Sequence, residues 1–195
     1  MIDKIMNRKP KIYLAGKITK DFWRNIILGD VRYIDRYRKT PGISQMYPEP
    51  IQFYDNEEEF DKFIITGPHS ISCDHHCFHD TSHAAGTDFH GDCGWEDGGM
   101  SKQWIVDSCL HQIDKSDFVF AYINHDDLYG TIAEIGYAFA NYKPVFIIYK
   151  NEELKRKHWF IGTMCDYDSM VSDKPEDMIQ FFNQSLLNYK KYMMD

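Results

Sequence analysis

The amino-acid sequence predicts an α/β protein with a doubly wound parallel sheet, and three observations lead to this prediction. Short apolar runs rich in β-branched and aromatic residues occupy 116–123 and 143–149. Between them, residues 130–140 carry small and apolar side chains at helical spacing, which completes a strand, a helix and a parallel strand. A strand, a turn and a helix also open the chain between residues 10 and 27. Strands that alternate with helices in this way build open sheets of the Rossmann-like or flavodoxin-like type.

The opening unit places a strand at residues 10–18, with Gly16 in the tight turn after it. Asp21 is expected to cap the following helix, whose apolar side includes Trp23. The backbone amides of the turn, together with nearby basic side chains, are candidates for binding a phosphate or carboxylate group. These basic side chains are Lys17, Lys20 and Arg24. Ordinary solvated residues are the favoured alternative, since phosphate-binding loops normally contain more glycine.

The remaining elements are predicted from turn residues and apolar spacing. The sequence predicts an irregular connection at 31–50 and a short strand at 51–54. It also predicts an acidic turn or short helix at 56–60 and a further strand at 62–66. Further along the chain, the sequence predicts a helix at 100–115, a charged connection at 151–157 and a strand at 158–161. A last helix, with Pro175 near its first turn, is expected to close the sheet.

Residues 67–99 form a predicted insertion that is rich in His and Cys. It contains six of the nine histidines and three of the five cysteines, with little periodicity. A long segment of this kind in a compact domain is usually functional or disordered, and we expect an ordered lid beside the ligand site. Thiolates and imidazoles at short spacing suit zinc. However, only Cys73 and Cys77 resemble a pair of zinc ligands, so no metal is predicted. Cys73, Cys77 and Cys93 are kept as secondary candidates for binding zinc.

The length and the charge limit the class of protein. A chain of 195 residues is long enough for one domain with a full core, and we expect a single domain over residues 1–195. A net charge of −8 argues against a nucleic-acid polymer or an anionic membrane as partner, which leaves a small molecule. No apolar run is long enough to span a bilayer and no secretory signal is recognisable, so a cytoplasmic location is expected.

Glu134 is the leading candidate for chemistry. It lies in the first turns of the predicted helix, one turn after Gly130, where a glycine lets the backbone approach a ligand. This position lies beside the carboxyl ends of the strands, where open α/β sheets bind their ligands. The alternative is that Glu134 only favours the positive end of a helix dipole. The glycine-rich dinucleotide fingerprint is absent after the first strand, where only Gly16 occurs, so no redox cofactor is predicted.

Two short motifs resemble those of the nucleoside 2-deoxyribosyltransferase family and its relatives, the deoxynucleotide N-glycosidases. They are Gly130-Thr131 followed by Glu134-Ile135-Gly136-Tyr137-Ala138, and the opening Ile12-Tyr13-Leu14-Ala15-Gly16. The resemblance covers the first strand and roughly residues 103–149. It implies a homo-oligomer whose sites are completed by a neighbouring subunit.

The resemblance also implies roles for individual residues. Glu134 corresponds to the nucleophile and Tyr13 to the tyrosine that lies against it. The family places a second acid, an aspartate, eight residues before the aspartate of the following strand. Counting back from Asp117 leads to Cys109, so this sequence departs from the family there. Asp107, about half a helical turn away, is the substitute if the helix is shifted or rotated.

Substrate-binding residues are expected on the loops around this centre. The family has a polar residue six positions before the nucleophile, where this sequence has Leu128, so Asp127 is the candidate for holding a sugar hydroxyl. A charge at Asp127 would repel a 5′-phosphate and favour a nucleoside. His75 and His79 are expected to contact the substrate, and either is a candidate to replace the missing acid.

The predicted function is cleavage of the sugar–base bond of a nucleoside or nucleotide through a covalent sugar–glutamate ester, with transfer of the sugar to another base or to water. A glycohydrolase of NAD or a related dinucleotide is the nearest alternative among enzymes. A catalytically silent nucleotide-sensing module is the alternative that the altered acid position favours, and a zinc-dependent regulatory protein is a further one.

Overall fold

The computed structural model describes residues 8–16, 23–28, 58–68, 102–165 and 169–192. The strands of this part are β1 (Lys11–Gly16), β2 (Glu58–Glu59), β3 (Ile64–Gly67), β4 (Phe118–Ile123), β5 (Val145–Tyr149) and β6 (Met170–Val171). They form one sheet in the order β2-β3-β1-β4-β5-β6. β2 is antiparallel to β3, and all other neighbouring strands are parallel. The predicted α/β fold with a parallel sheet is therefore confirmed.

Helices pack on both faces of the sheet. They are α1 (Trp23–Leu28), α2 (Lys102–Lys115), α3 (Tyr129–Ala140), α4 (Glu152–Lys157), α5 (Trp159–Gly162) and α6 (Pro175–Tyr192). One core cluster joins the sheet to α1 and α6, and the other joins it to α2, α3, α4 and α5. In the described part of the chain, no helix is both long and apolar enough to cross a bilayer.

The side-chain alternation of β1 links the two core clusters. Ile12 and Leu14 face α1 and α6, whereas Tyr13 and Ala15 face α2 and α3, and all four are fully buried. Successive residues of a strand point to opposite faces, so covering both faces requires an uninterrupted apolar run. The β4 strand shows the same property, since all six of its residues are buried.

The strand order creates a crevice between β1 and β4. β1 is followed in the chain by strands on one side of it, whereas β4 is followed by β5 and β6 on the other side. Ligands of open α/β sheets bind outside the carboxyl ends of the strands at such a reversal of order. Gly16 and Tyr122, which are paired across the two strands, mark this edge.

Three local predictions were wrong. Residues 159–161 of the predicted strand belong to helix α5, and His158 lies between the two helices. The predicted charged connection before them contains helix α4. The Asn151 side chain starts α4 by accepting a 2.9 Å hydrogen bond from the Leu154 amide, and a short apolar run is not enough to distinguish a strand from a helix. The acidic turn or short helix predicted at 56–60 contains instead the edge strand β2, which forms by pairing with β3. Strand β6 was not predicted.

Several predictions lie outside the described residues. They concern the cap at Asp21, the basic residues Lys17 and Lys20, the segments 31–50 and 51–54, and residues 69–99 of the predicted insertion with His75, His79, Cys73, Cys77 and Cys93.

Candidate active site

A tyrosine and a glutamate meet between the sheet and helix α3. Tyr13 is fully buried in the middle of β1 and points toward α2 and α3. Its hydroxyl donates a 2.5 Å hydrogen bond to Oε1 of Glu134, which lies on α3. The two residues are 121 positions apart in the chain. The parallel β4–α3–β5 unit, which sets α3 next to β1, therefore brings together the two residues that the motifs singled out.

Glu134 is held in an environment that opposes its negative charge. Burial raises the pKa of this carboxyl from 4.5 to about 7, even though hydrogen bonds from Tyr13, the charge of Arg24 and the Cys109 thiol all lower it. Burial also raises the pKa of the Tyr13 hydroxyl well above its ordinary value, and the neighbouring Cys109 and Glu134 add to this rise. Tyr13 therefore keeps its proton and serves as a hydrogen-bond donor. A carboxyl with a pKa near 7 is poised between its two protonation states at neutral pH.

Arg24 is the buried cation of this region. It is 8 % exposed, and its Nη2 donates 2.8 Å hydrogen bonds to the carbonyl oxygens of Leu14 and Gly16 at the end of β1. Its Cζ lies 4.6 Å from the ring centroid of Trp23. The sequence suggested only a basic residue near a turn, whereas the structure shows a guanidinium that fixes the end of β1 and stabilises the Glu134 charge.

Gly16 is required for the close approach of α1 to the sheet. A Cβ atom at this position would lie 2.8 Å from the Trp23 ring, which is shorter than any real contact. The indole of Trp23 therefore lies directly over the end of β1, where it also packs against Tyr122 with ring centroids 5.6 Å apart. Gly16, which the sequence predicted for the turn after β1 and as a substrate-binding candidate, thus also has a packing role; its role in substrate binding stays a prediction.

Cys109 occupies the position where the resemblance implies a second acid. Its thiol is close enough to Tyr13 and Glu134 to influence the pKa values of both groups. Burial and, to a smaller extent, the charge of Glu134 raise its pKa to about 12, so the thiol stays protonated and uncharged at neutral pH. Counting along the sequence had identified this position, but it gave no indication that the thiol itself would contact the glutamate.

The other predicted residues are located away from this contact. Asp107 is an exposed residue of α2, and Asp127 is exposed in the loop before α3. Neither is among the groups that shift the pKa of Glu134. Gly130 is exposed in the first turn of α3 with open space where a side chain would be. Asp107 could serve as the second acid only if α2 were rotated. In the structure, α2 is oriented so that Cys109 lies toward Glu134.

The described ranges contain no group of three His, Cys, Asp or Glu side chains placed to hold a metal ion. The zinc candidates Cys73, Cys77 and Cys93 all lie outside these ranges, so zinc binding at these residues stays a prediction.

The fold and the contact define an α/β protein that holds a carboxylate at the ligand-binding side of a parallel sheet. A family model described as nucleoside 2-deoxyribosyltransferase matches residues 72–178. The matched segment is more than half of the chain, and the chain belongs to this family, whose general chemistry is glycosyl transfer on nucleosides. It contains Cys109 and Glu134, whereas Tyr13 lies before it. A comparison with curated proteins finds no match.

Proposed function

We propose that this protein cleaves the N-glycosidic bond of a nucleoside or nucleotide through a covalent bond between the sugar and Glu134. The observation that carries the proposal is the 2.5 Å hydrogen bond from the Tyr13 hydroxyl to the Glu134 carboxylate. It gives the carboxylate one fixed orientation and leaves its second oxygen for chemistry. A carboxyl whose pKa is raised to about 7 by burial is also a stronger nucleophile, once ionised, than a fully solvated one.

The reaction proceeds in two displacements. In the first, an oxygen of ionised Glu134 bonds to the anomeric carbon while the carbon–nitrogen bond breaks and its electron pair leaves with the base. In the second, a nitrogen of another base, or a water oxygen, bonds to the anomeric carbon and the carboxylate leaves. Two inversions give overall retention of configuration. Throughout, the Tyr13 hydroxyl remains a donor to the carboxylate and orients it toward the sugar.

Protonation of the departing base must come from a group other than Cys109. A thiol with a pKa of about 12 is too weak an acid to act near neutral pH. In the part of the chain that the structure describes, no second carboxyl contributes to the pKa of Glu134. The proposal therefore keeps a histidine of the predicted insertion, His75 or His79, as the candidate general acid. A base that departs without being protonated, such as nicotinamide from NAD, would need no general acid.

Intact-protein mass spectrometry tests the proposal directly. The protein is mixed separately with deoxynucleosides, deoxynucleotides and NAD, and the released bases are separated by chromatography. We expect base release and a mass increase equal to one sugar, both absent from Glu134→Ala. Base release from NAD alone would identify a dinucleotide glycohydrolase. Binding of nucleotides with no base release from any substrate would identify a sensing module and refute the proposed reaction.

The pH dependence of kcat/KM gives a further prediction. Only ionised Glu134 can attack the sugar, so the acidic limb of the kcat/KM profile is expected to rise with pH and to have its midpoint near pH 7. A histidine general acid would add a fall at higher pH. The rise should have a slope of one on a logarithmic scale below this pH, because a single proton is lost. Initial rates between pH 5 and 9 with a saturable nucleoside substrate measure it. An unshifted carboxyl would instead give a midpoint near 4.5.

Removal of the Cys109 thiol is expected to have a small effect on activity. Cys109→Ala should keep kcat/KM within about tenfold of the parent enzyme, since a protonated thiol is only a weak donor to Glu134. Steady-state rates and the thermal midpoint of the variant are the measurements. Cys165→Ala is the matched control, because that cysteine is also partly buried but packs beside β5. A loss as large as that of a Glu134 variant would make Cys109 part of the chemical step.

A further inference from the structure

Buried polar atoms without hydrogen-bond partners are present at the carboxyl edge of β1 and β4. The Asn124 side chain is 5 % exposed, and neither its Nδ2 donor nor its Oδ1 acceptor is paired. The Trp23 indole is 1 % exposed, and its Nε1 donor is unpaired. An unpaired buried polar atom destabilises a fold, and natural proteins contain few of them. Other buried polar atoms of the described residues, such as Ser108 Oγ and Tyr149 OH, are also unpaired, but these three belong to two residues at the edge where such sheets bind ligands.

Both residues are associated with the carboxyl ends of β1 and β4. Asn124 directly follows β4 and comes two residues after Tyr122, the spacing that returns an extended chain to the same face. Tyr122 is paired with Gly16 and packs against Trp23. The Nε1 atom of Trp23 would lie only 3.1 Å from a Cβ placed on Gly16. Both side chains therefore belong to the edge at which sheets of this topology bind ligands.

This edge is within electrostatic reach of Glu134. Arg24, which follows Trp23 and lies against its ring, lowers the pKa of Glu134 through its charge. A sugar whose anomeric carbon bonds to Glu134 carries its hydroxyl groups on the same small ring or one carbon beyond it. Tyr13 and Glu134 meet on the α2–α3 side of the sheet, whereas Trp23 and Tyr122 belong to the core cluster of α1 and α6. A sugar bonded to Glu134 would therefore reach Asn124 and Trp23 across the carboxyl edge between β1 and β4.

The unpaired atoms match a hydroxyl group better than a phosphate. Asn124 offers one donor group and one acceptor, and Trp23 offers one donor. A hydroxyl can accept from either donor and at the same time donate to the Asn124 oxygen. A phosphate ester has acceptor oxygens only when fully ionised, so it would leave the Asn124 oxygen unpaired beside a negative charge. The donor and acceptor inventory thus favours a neutral hydroxyl.

We propose that Asn124 and the Trp23 indole form a subsite that binds one hydroxyl of the substrate's sugar. This inference rests on the proposed function for the identity of the ligand as a nucleoside. It assigns to Asn124 a positioning role: the side chain fixes the sugar ring so that the anomeric carbon faces Glu134. The bound hydroxyl pairs the buried atoms that the unliganded fold leaves unpaired.

Binding measurements on analogues that lack one hydroxyl test the subsite. Titration calorimetry is carried out in a Glu134→Gln background, which prevents turnover. The probes are 2′-deoxyadenosine and thymidine, each with its 3′-deoxy and 5′-deoxy analogue. Asn124→Leu is expected to weaken the binding of a parent nucleoside by about tenfold. The same substitution should leave unchanged the affinity for one of the two analogues, namely the one without the recognised hydroxyl.

Two controls separate a positioning role from a structural one. Asn183→Leu makes the same change on the exposed surface of α6 and should not alter any affinity. Asn124→Leu and Asn124→Ala should not lower the thermal midpoint through a lost hydrogen bond, because the unliganded protein makes none there. Equal losses for all analogues, unchanged affinities, or no measurable binding of any probe would overturn the subsite. Absence of a sugar adduct on the parent enzyme would refute the proposed function instead, and the Asn124-dependent binding would remain.

Discussion

Glu134→Gln is expected to lower kcat/KM for base release by roughly 10⁴-fold or more. The substitution keeps the size of the side chain and its ability to accept a hydrogen bond from Tyr13, but the amide cannot form a stable ester with the sugar. The expected result is thus a folded protein that still binds nucleosides and forms no sugar adduct. Intact mass spectrometry and base chromatography on the same sample measure both properties. Glu153→Gln, an exposed change on α4, is the matched control and should retain full activity.

The same variant has a predictable effect on stability. Burial raises the pKa of Glu134 from 4.5 to about 7, so the folded state holds a proton that the unfolded state has already released over this range. The contribution of this carboxyl to stability is therefore lost as the pH rises from about 4.5 to 7, and the loss is roughly 3 kcal/mol. Glu134→Gln has no such titration. Its thermal midpoint should exceed that of the parent protein above pH 7 and approach it near pH 4.5.

An unchanged turnover in Glu134→Gln would rule out the carboxylate as nucleophile. A loss of turnover together with a lowered thermal midpoint at pH 8 would point to a structural role, because the ionised carboxyl is the less stable form in the fold. The two measurements together distinguish a nucleophile from a buried structural acid.

The sequence predicted the central βαβ unit well because its signals are local. The strands at both ends of α3 are continuous apolar runs, which a parallel sheet buried on both faces requires. Short elements were predicted poorly, since β2 and β6 have two residues each and exist through pairing with a neighbour. The helix α5 has only four residues, WFIG, and its apolar composition gave no period that could identify it.

The candidate site was predictable in part. Resemblance supplied Glu134 and Tyr13, because they lie in short motifs that can be recognised in a single sequence. The contributions of Arg24 and Cys109 depend on which way α1 and α2 are turned on the sheet, and apolar spacing alone does not fix this for a helix as short as α1. Asn124 follows an apolar run as many loop residues do, and only its burial without partners distinguishes it.

These residues surround Glu134 with groups that act in different ways. Tyr13 donates a hydrogen bond, Arg24 supplies a positive charge held by the end of β1, and Cys109 remains neutral. A second carboxylate in place of Cys109 would repel the Glu134 charge and raise its pKa further. The neutral thiol therefore helps Glu134 to ionise near pH 7, although it leaves the base without a proton donor at that position.

Tyr13→Phe is expected to reduce kcat/KM by about a hundredfold and to move the midpoint of its pH dependence above 7. The hydrogen bond from Tyr13 is the strongest influence that lowers the pKa of Glu134, so its removal makes the carboxyl harder to ionise. Without this hydrogen bond, Oε1 of Glu134 has no donor and the carboxylate is free to rotate. The unpaired oxygen costs about 1–3 kcal/mol when the carboxylate is ionised. A full pH–rate profile of the variant is the measurement, since the shift of the midpoint reports on the contact itself.

Tyr137→Phe removes a hydroxyl from the same helix as Glu134, where it binds Asp114 at 3.0 Å, and should change neither quantity. If Tyr13→Phe lowered activity equally at every pH, the tyrosine would act on the substrate or on packing, and the role assigned here to its hydroxyl would be wrong.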